Sequence, residues 1–225
     1  MPSIESTRMH FFRSLTATLI ALAGMTALAS AQSEPHAKTY AFLTHAAFFS
    51  VESKPANLID PQVFVRDPDA PAATGPQGIP HVAGYRNALG VDNPTLDIEN
   101  ARGAPLHMTL AQWFGARGTV KLMPSGGDTM AKFSFEELVP NGHYSLFENH
   151  FSPTGVTFTP ADGTATTNSF TATANGTARI ELRVPGAVTH AEALLLVYHS
   201  DGMDHGMQRG ALGVNAHHQL ITRVP

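Results

Sequence analysis

The sequence contains no cysteine and few charged residues. Only 14% of its 225 residues are Asp, Glu, Lys or Arg, against roughly 25% in a typical globular domain. The absence of cysteine excludes disulfides, cysteine zinc sites, iron–sulfur clusters, cysteine nucleophiles and the thiolate copper centre of cupredoxins. A formal net charge of -4 argues against a broad basic surface for nucleic acid. The hydrophobic fraction of 43% nevertheless suffices for a full core.

The longest apolar run lies near the N-terminus. Arg8 and Arg13 precede this run, residues 15–28, and Ala29-Ser30-Ala31 follows it. This order is typical of a secretory signal peptide, with cleavage predicted after Ala31. The run is about 15 residues long, whereas a membrane-spanning helix needs ~20, so an uncleaved anchor is the alternative. We therefore expect a signal peptide over residues 1–31, a periplasmic or extracellular location, and no membrane span after cleavage.

Residues 32–105 are rich in turn-forming residues. Eight prolines fall between Pro55 and Pro105, inclusive, which argues against long helices and central strands there. A long stretch without secondary structure is uncommon inside a compact domain, and this one also carries apolar residues that need burial. We predict that residues 32–105 form an extended Pro/Gly-rich arm that packs on the core.

Apolar and polar residues alternate from near Gly118 to the C-terminus. In residues 177–184, three apolar side chains alternate with three charged ones, as in a strand with one buried face. Residues 193–198 are apolar on both faces, which is typical of a central strand. About seven short strands separated by turn signals indicate an all-β, antiparallel β-sandwich or flattened barrel over residues 106–225.

One short helix is expected before these strands. Thr109 can cap its N-terminus and Gly115 can end it, so the helix would cover residues 109–114. The only tryptophan, Trp113, is expected to pack on the edge of the sandwich. In residues 39–52, which are apolar and aromatic, the pattern leaves helix and strand open.

Histidine is concentrated in the last third of the chain. Seven of the twelve histidines lie within residues 143–218, and the densest segment is the Gly-rich stretch 199–207. Neutral imidazole is the commonest protein ligand for transition metals, and methionine sulfur favours Cu(I). We therefore predict a metal site, with copper favoured and zinc as the alternative. The candidate ligands are His199, His205, His217, His218, Met203, Met207, His143 and His150.

A polar loop without metal is the competing interpretation. Adjacent His217 and His218 point to opposite faces of a strand, so at most one can join an inward-facing site. The histidine spacing matches no closed zinc motif, and the His-x-His strand of copper–zinc superoxide dismutase is missing. His199 would then be a hydrogen-bonded residue at the end of a strand.

Three weaker patterns suggest other chemistry. Residues 67–71 resemble the Asp-Pro-Asp-Ala-Pro segment of phosphatidylethanolamine-binding proteins, but the histidine-bearing segments of that family are missing, so we expect a Pro-rich turn. Glu136 and Glu137 face opposite ways on a strand, which disfavours shared acid–base work. Ser200 adjoins a histidine and an aspartate but lies in no Gly-x-Ser-x-Gly elbow.

A broader resemblance covers about residues 109–220. Five segments, in this order, resemble secreted bacterial β-sandwich proteins with no established activity: residues 110–113, 138–144, 168–170, 197–202 and 213–217. The resemblance implies the fold and the compartment, and it carries no activity or site residues.

The favoured function is that of a secreted or periplasmic protein that sequesters or delivers a metal ion. The alternatives are a metal-free adhesion or ligand-binding module, and a secreted enzyme whose site is assembled across strands. The expected partner is a metal ion or a small ligand, with no nucleic acid. Enzymatic activity and oligomeric state stay open at this point.

Overall fold

The computed structural model describes residues 37–224, so the predicted signal peptide lies outside the described residues. Within that range the strands pair antiparallel, which confirms the all-β prediction. The elements are β1 (Lys38–Ala41), β2 (Leu43–Thr44), α1 (His45–Ser53), β3 (Ile59–Arg66), β4 (Ala73–Thr74), β5 (Pro80–His81), β6 (Tyr85–Leu89), β7 (Asp97–Glu99), β8 (Pro105–Thr109), α2 (Leu110–Gly115), β9 (Arg117–Ser125), β10 (Asp128–Glu136), β11 (His143–Ser152), β12 (Gly155–Pro160), β13 (Ser169–Thr171), β14 (Ala178–Val184), β15 (Glu192–His199) and β16 (Ala216–Arg223).

Two sheets face each other across the main core. The first sheet has the strand order β1–β9–β10–β14, and the second has the order β12–β11–β15–β16–β2, with β13 also paired to β11. Phe133 of the first sheet and Leu196 of the second belong to this core. On the other face of the second sheet, Leu195 and Ile221 belong to a smaller cluster. Burial on both faces explains why residues 193–198 of β15 are all apolar, and the place of β15 between β11 and β16 confirms the predicted central strand.

The Pro-rich first half of the described chain is built of short strands. A third sheet has the order β6–β3–β7–β8, and β4 pairs with β5. β1 and β2 lie at edges of the two sandwich sheets. Val63, Val65 and Ile98 belong to the main core, so this half is packed onto the sandwich.

Both α-helices of the described residues begin at a threonine cap. In α2, the hydroxyl of Thr109 accepts the Gln112 N–H at 3.3 Å, and the Gln112 carboxamide accepts the Thr109 N–H at 2.8 Å. This capping box confirms the predicted helix. In α1, the Thr44 hydroxyl accepts the Ala47 N–H, and the helix begins where the sequence left helix and strand open. Neither helix has the length and apolar character needed to cross a membrane.

Residues 200–215 form the loop that joins β15 to β16. The N–H of Ser200 donates to the carbonyl of Asn215 at 3.0 Å, which brings the two limbs of the loop together. The Asn215 side chain then donates to Asp201 Oδ2 at 2.8 Å and accepts the Ala211 N–H at 2.7 Å. Gly202 and Gly206 adopt positive φ values of 70° and 58°, which glycine tolerates at little steric cost. The loop is therefore held in shape at the end of the second sheet.

Candidate metal site

Strand pairing and the loop that follows β15 together bring three imidazoles to one end of the second sheet. His143 begins β11 and lies directly opposite His199, the last residue of β15. Their ring centroids are 5.8 Å apart. The loop then returns His205 to the same place, with its ring centroid 5.1 Å from that of His199. Residues that are 62 positions apart in sequence, His143 and His205, thus share one neighbour in His199.

His199, Asp201 and His205 form a group that could hold a metal ion. Their three ligand atoms lie within 4.8 Å of one another. Metal–nitrogen bonds of ~2.0–2.1 Å place two ligands of one ion roughly 3–4 Å apart, so small side-chain rotations would close the group around an ion. Within it, His205 Nε2 lies 3.2 Å from Asp201 Oδ2.

Two ring nitrogens of this group are buried without a hydrogen-bond partner among the described residues. The Nε2 of His199 lies 2.8 Å from Ser145 Oγ, which leaves Nδ1 of that ring free. This Nδ1 and the Nε2 of His205 are both without a partner, since the Asp201 contact has ion-pair distance but not hydrogen-bond geometry. A buried polar atom without a partner is uncommon and costs free energy. A metal ion would satisfy both nitrogens at once.

The electrostatic surroundings keep His199 neutral. The residue is 1% exposed. Burial, together with repulsion from His205 and His143, lowers the pKa of His199 to about 4, although Asp201 and Asp204 oppose this shift. The ring is therefore uncharged at neutral pH, which is the form that binds metals.

Asp201 supplies a negative charge to the same group. Burial raises its pKa, but hydrogen bonds from the Met203 N–H and the Asn215 side chain, together with His205, lower the pKa on balance. The carboxylate is therefore ionised at neutral pH. An ionised carboxylate beside the neutral imidazole of His199 is a donor set that favours a cation.

His143 and Asp204 form a supporting pair beside the group. His143 Nε2 lies 2.6 Å from Asp204 Oδ1, and its Nδ1 lies 3.4 Å from Thr171 Oγ1. Because both nitrogens have partners, His143 would become a ligand only by releasing Asp204 or Thr171. Ser145, which contacts His199, is itself 2.8 Å from the Ser169 hydroxyl. Such outer contacts orient the rings that face a metal.

His217 and His218 lie outside this group, on two different faces of the second sheet. The ring of His217 packs beside Trp113 at a centroid distance of 6.3 Å, and its Nδ1 lies 3.1 Å from the carbonyl of Gln62. The ring of His218 instead contacts His45 at 4.8 Å. Side chains of successive strand residues point in opposite directions, which accounts for the separation.

The structure does not bring the remaining candidates into the group. His150 lies seven residues along β11 from His143, or roughly 23 Å at ~3.3 Å per residue, and its Nε2 lies 2.8 Å from Thr159 Oγ1. Met203 and Met207 belong to the loop but are 58% and 53% exposed. Their thioethers face solvent rather than a packed site.

Sequence reasoning missed the parts played by Asp201, Asp204 and Ser145. Asp201 stands four residues before His205 in the Gly-rich loop, and that spacing was a usable signal. Ser145 stands two residues after His143 and therefore shares its face of the strand. Nothing in the sequence pairs Asp204 with His143, because that contact depends on how the loop folds.

Comparison of the chain with protein-family models, with curated proteins and with solved structures found no match. The candidate site consists of two imidazoles and one carboxylate at the end of β15, with His143 and Asp204 beside them.

Proposed function

We propose that the protein binds a divalent transition-metal ion, copper in preference to zinc, through His199, His205 and Asp201. The observation that carries this proposal is the pair of buried ring nitrogens without partners, set beside an ionised carboxylate. Imidazole suits both copper and zinc, and the general order of divalent affinities places Cu²⁺ above Zn²⁺. The resident form of copper would be Cu(II), since Cu(I) prefers sulfur ligands and both loop methionines are largely exposed.

The site supports sequestration or delivery of the ion. The side chains of His205 and Asp201 are 18% and 27% exposed, so one side of the group opens to solvent while His199 is buried. Three protein ligands leave a coordination position for water or for an acceptor's ligand. With the signal peptide expected at residues 1–31, binding would take place in the periplasm or outside the cell.

Metal titration of tag-free, chelator-treated protein tests the proposal. We expect one Cu(II) per chain in competition titrations, with weaker binding of Zn(II). His199→Ala and His205→Ala should each weaken Cu(II) binding by about 100-fold or more, because each removes a direct ligand. His190→Ala is the matched control, since it removes an exposed histidine outside the group.

Weak, non-stoichiometric binding that is unchanged in both ligand variants would remove the proposal. Tighter binding of Zn(II) than of Cu(II) would keep the site and overturn the copper assignment. Thermal melts of each variant show whether the fold is retained. His205→Ala is the more robust of the two variants, because its side chain is held by a loop rather than by the sheet.

A further inference from the structure

A cavity of about 240 Å³ lies on the face of the second sheet that carries the smaller apolar cluster. It is bordered by α1, by β11, β12 and β16, and by the loop. Its walls are mainly apolar, and its polar side chains include a cation and two histidines. The apolar wall includes Phe48, Phe151, Phe158, Leu212 and Ile221.

Arg209 places an uncompensated positive charge in this cavity. Its guanidinium carbon lies 3.2 Å from the centroid of the Phe158 ring. Among the described residues, no carboxylate lies within ion-pair distance of Arg209. Burial lowers the pKa of Arg209 to about 10. Glu52, an exposed residue of α1, also lines the cavity but makes no ion pair there.

The hydrogen bonds of His218 require an acceptor that the described residues do not supply. The backbone N–H of His218 donates to Gln62 Oε1 at 2.7 Å, which fixes the amide of Gln62 so that its Nε2 faces His218 Nδ1 at 3.1 Å. The other ring nitrogen, Nε2, faces Arg209 Nη1 at 3.0 Å. Both neighbours are donors, and a neutral imidazole accepts at one nitrogen only. Whichever nitrogen carries the proton, one contact therefore joins two N–H donors.

His45 adds a further polar atom without a partner. The residue is 5% exposed and lines the cavity, and its Nδ1 is buried with no hydrogen-bond partner among the described residues. Its ring meets the ring of His218 edge-on. The cavity thus combines a half-buried cation and imidazole nitrogens with phenyl rings along its walls.

We propose that this cavity binds a small organic carboxylate with a flat apolar body. One carboxylate oxygen beside the Arg209 Nη1–His218 Nε2 contact would accept from both nitrogens once the guanidinium shifts to admit it, and each donor would then have an acceptor. Charge-assisted bonds from arginine to carboxylate are strong and directional. The apolar body would pack against Phe151 and Phe158. The volume lies below the ~300–1,000 Å³ of typical ligand pockets, which restricts the occupant to a small molecule.

Benzoate is the probe for this site, used with the full, metal-free chain. We expect saturable binding that raises the thermal midpoint, because a ligand that binds only the folded state stabilises it. Benzamide has nearly the same shape without the charge, and inorganic phosphate has charge without the apolar body. Each should bind roughly tenfold to 100-fold more weakly than benzoate, since each loses one of the two kinds of contact.

Two arginine variants test whether benzoate binds in this cavity. Arg209→Gln should weaken benzoate binding by about tenfold or more. Arg223→Gln is the matched control, because Arg223 also stacks on a phenyl ring, with its guanidinium carbon 4.4 Å from the Phe151 centroid, and it does not line the cavity. Ring resonances of His45 and His218 should shift on benzoate addition.

Four results would overturn the proposal: no saturable benzoate binding, equal binding of benzamide, equal binding of phosphate, or unchanged benzoate affinity in Arg209→Gln. The three ligand comparisons use the unaltered protein, so the proposal stays testable if Arg209→Gln fails to fold. This site shares no side chain with the His199 group. The benzoate result therefore does not depend on whether His199→Ala or His205→Ala loses metal binding.

Discussion

Two groups of buried or half-buried histidines adjoin the loop at residues 200–215, and their charged neighbours have opposite signs. His199 and His205 lie beside the carboxylates of Asp201 and Asp204. His45 and His218 lie beside the guanidinium of Arg209. Neutral imidazoles accept or donate, so the neighbouring charge decides whether the group attracts a cation or an anion. Histidine content alone therefore does not identify a metal site.

The pKa values of two histidines show the same contrast. Burial and repulsion from neighbouring histidines lower the pKa of His199 to about 4, with two carboxylates opposing the shift. Burial lowers the pKa of His45 to about 3, and Arg209 adds to that shift. Carboxylates thus keep one ring closer to protonation, while a cation moves the other further from it. Variants that remove these charged neighbours test the contrast.

Asp201→Asn is expected to weaken Cu(II) binding by about 100-fold, because it removes a direct ligand and its charge. The variant keeps the shape of the side chain, and benzoate binding at Arg209 should be unchanged. Competition titration measures the effect. Asp69→Asn, which neutralises an exposed carboxylate elsewhere, is the control. Wild-type copper affinity in Asp201→Asn would show that carboxylate charge does not distinguish the two groups.

Acid should destabilise the protein through His45. Its pKa is about 3 in the folded chain against 6.5 ordinarily, so below pH 6.5 the unfolded chain binds a proton that the folded chain does not. The free energy of unfolding therefore falls as the pH drops from 6.5 towards 3. Between pH 7 and pH 5 this contribution is about 2 kcal/mol. In urea unfolding, His45→Phe should lose less unfolding free energy than the wild type between pH 7 and pH 5, by about this amount.

A comparison of variants is needed because two buried carboxyls act in the opposite direction. Burial raises the pKa of Asp60 to about 6, and burial together with Glu192 raises that of Glu148 to about 7. Both stabilise the folded chain as the pH falls through these values. Phe48→Leu, on the same helix as His45, should change stability equally at pH 7 and pH 5. An unchanged pH dependence in His45→Phe would contradict the prediction.

Asp204→Asn should weaken Cu(II) binding by about tenfold, less than Asp201→Asn. Asp204 contacts His143 rather than the free nitrogens of the group, and residues that orient ligands typically change metal affinity by ~10–100-fold. The same titration measures both variants. Equal losses of Cu(II) affinity in the two variants would show that Asp204 is a ligand, so that two carboxylates rather than one would bind the ion.

Arg209→Gln should raise the pKa of His45, because it removes a nearby positive charge. The pKa of His199 should stay unchanged, since Arg209 does not contribute to it. Histidine ring resonances followed against pH measure both values in one sample. A rise at His199, or none at His45, would show that the two groups are not electrostatically separate.

Patterns within short segments predicted much of the fold. Alternation of apolar residues indicated the antiparallel strands, and Thr109 with Gly115 indicated α2. The nearness of His205 to His199 also followed from local sequence, since the two are only six positions apart along a Gly-rich segment. The pairing of His143 with His199 did not follow, because strand order depends on contacts between distant parts of the chain.

Local sequence determined that this protein forms antiparallel strands and that it is rich in imidazole, because alternation and composition act within a few residues. Tertiary structure decided which imidazoles from distant segments meet, as His143 meets His199 and His45 meets His218. The ring of His217 is hydrogen-bonded to the carbonyl of Gln62, which lies 155 residues away in sequence. Asp201, which lies beside His199, belongs to the loop that follows β15. Burial raises the free-energy cost of every polar atom that lacks a partner. The packing of the chain therefore leaves one histidine group suited to a cation and the other suited to an anion.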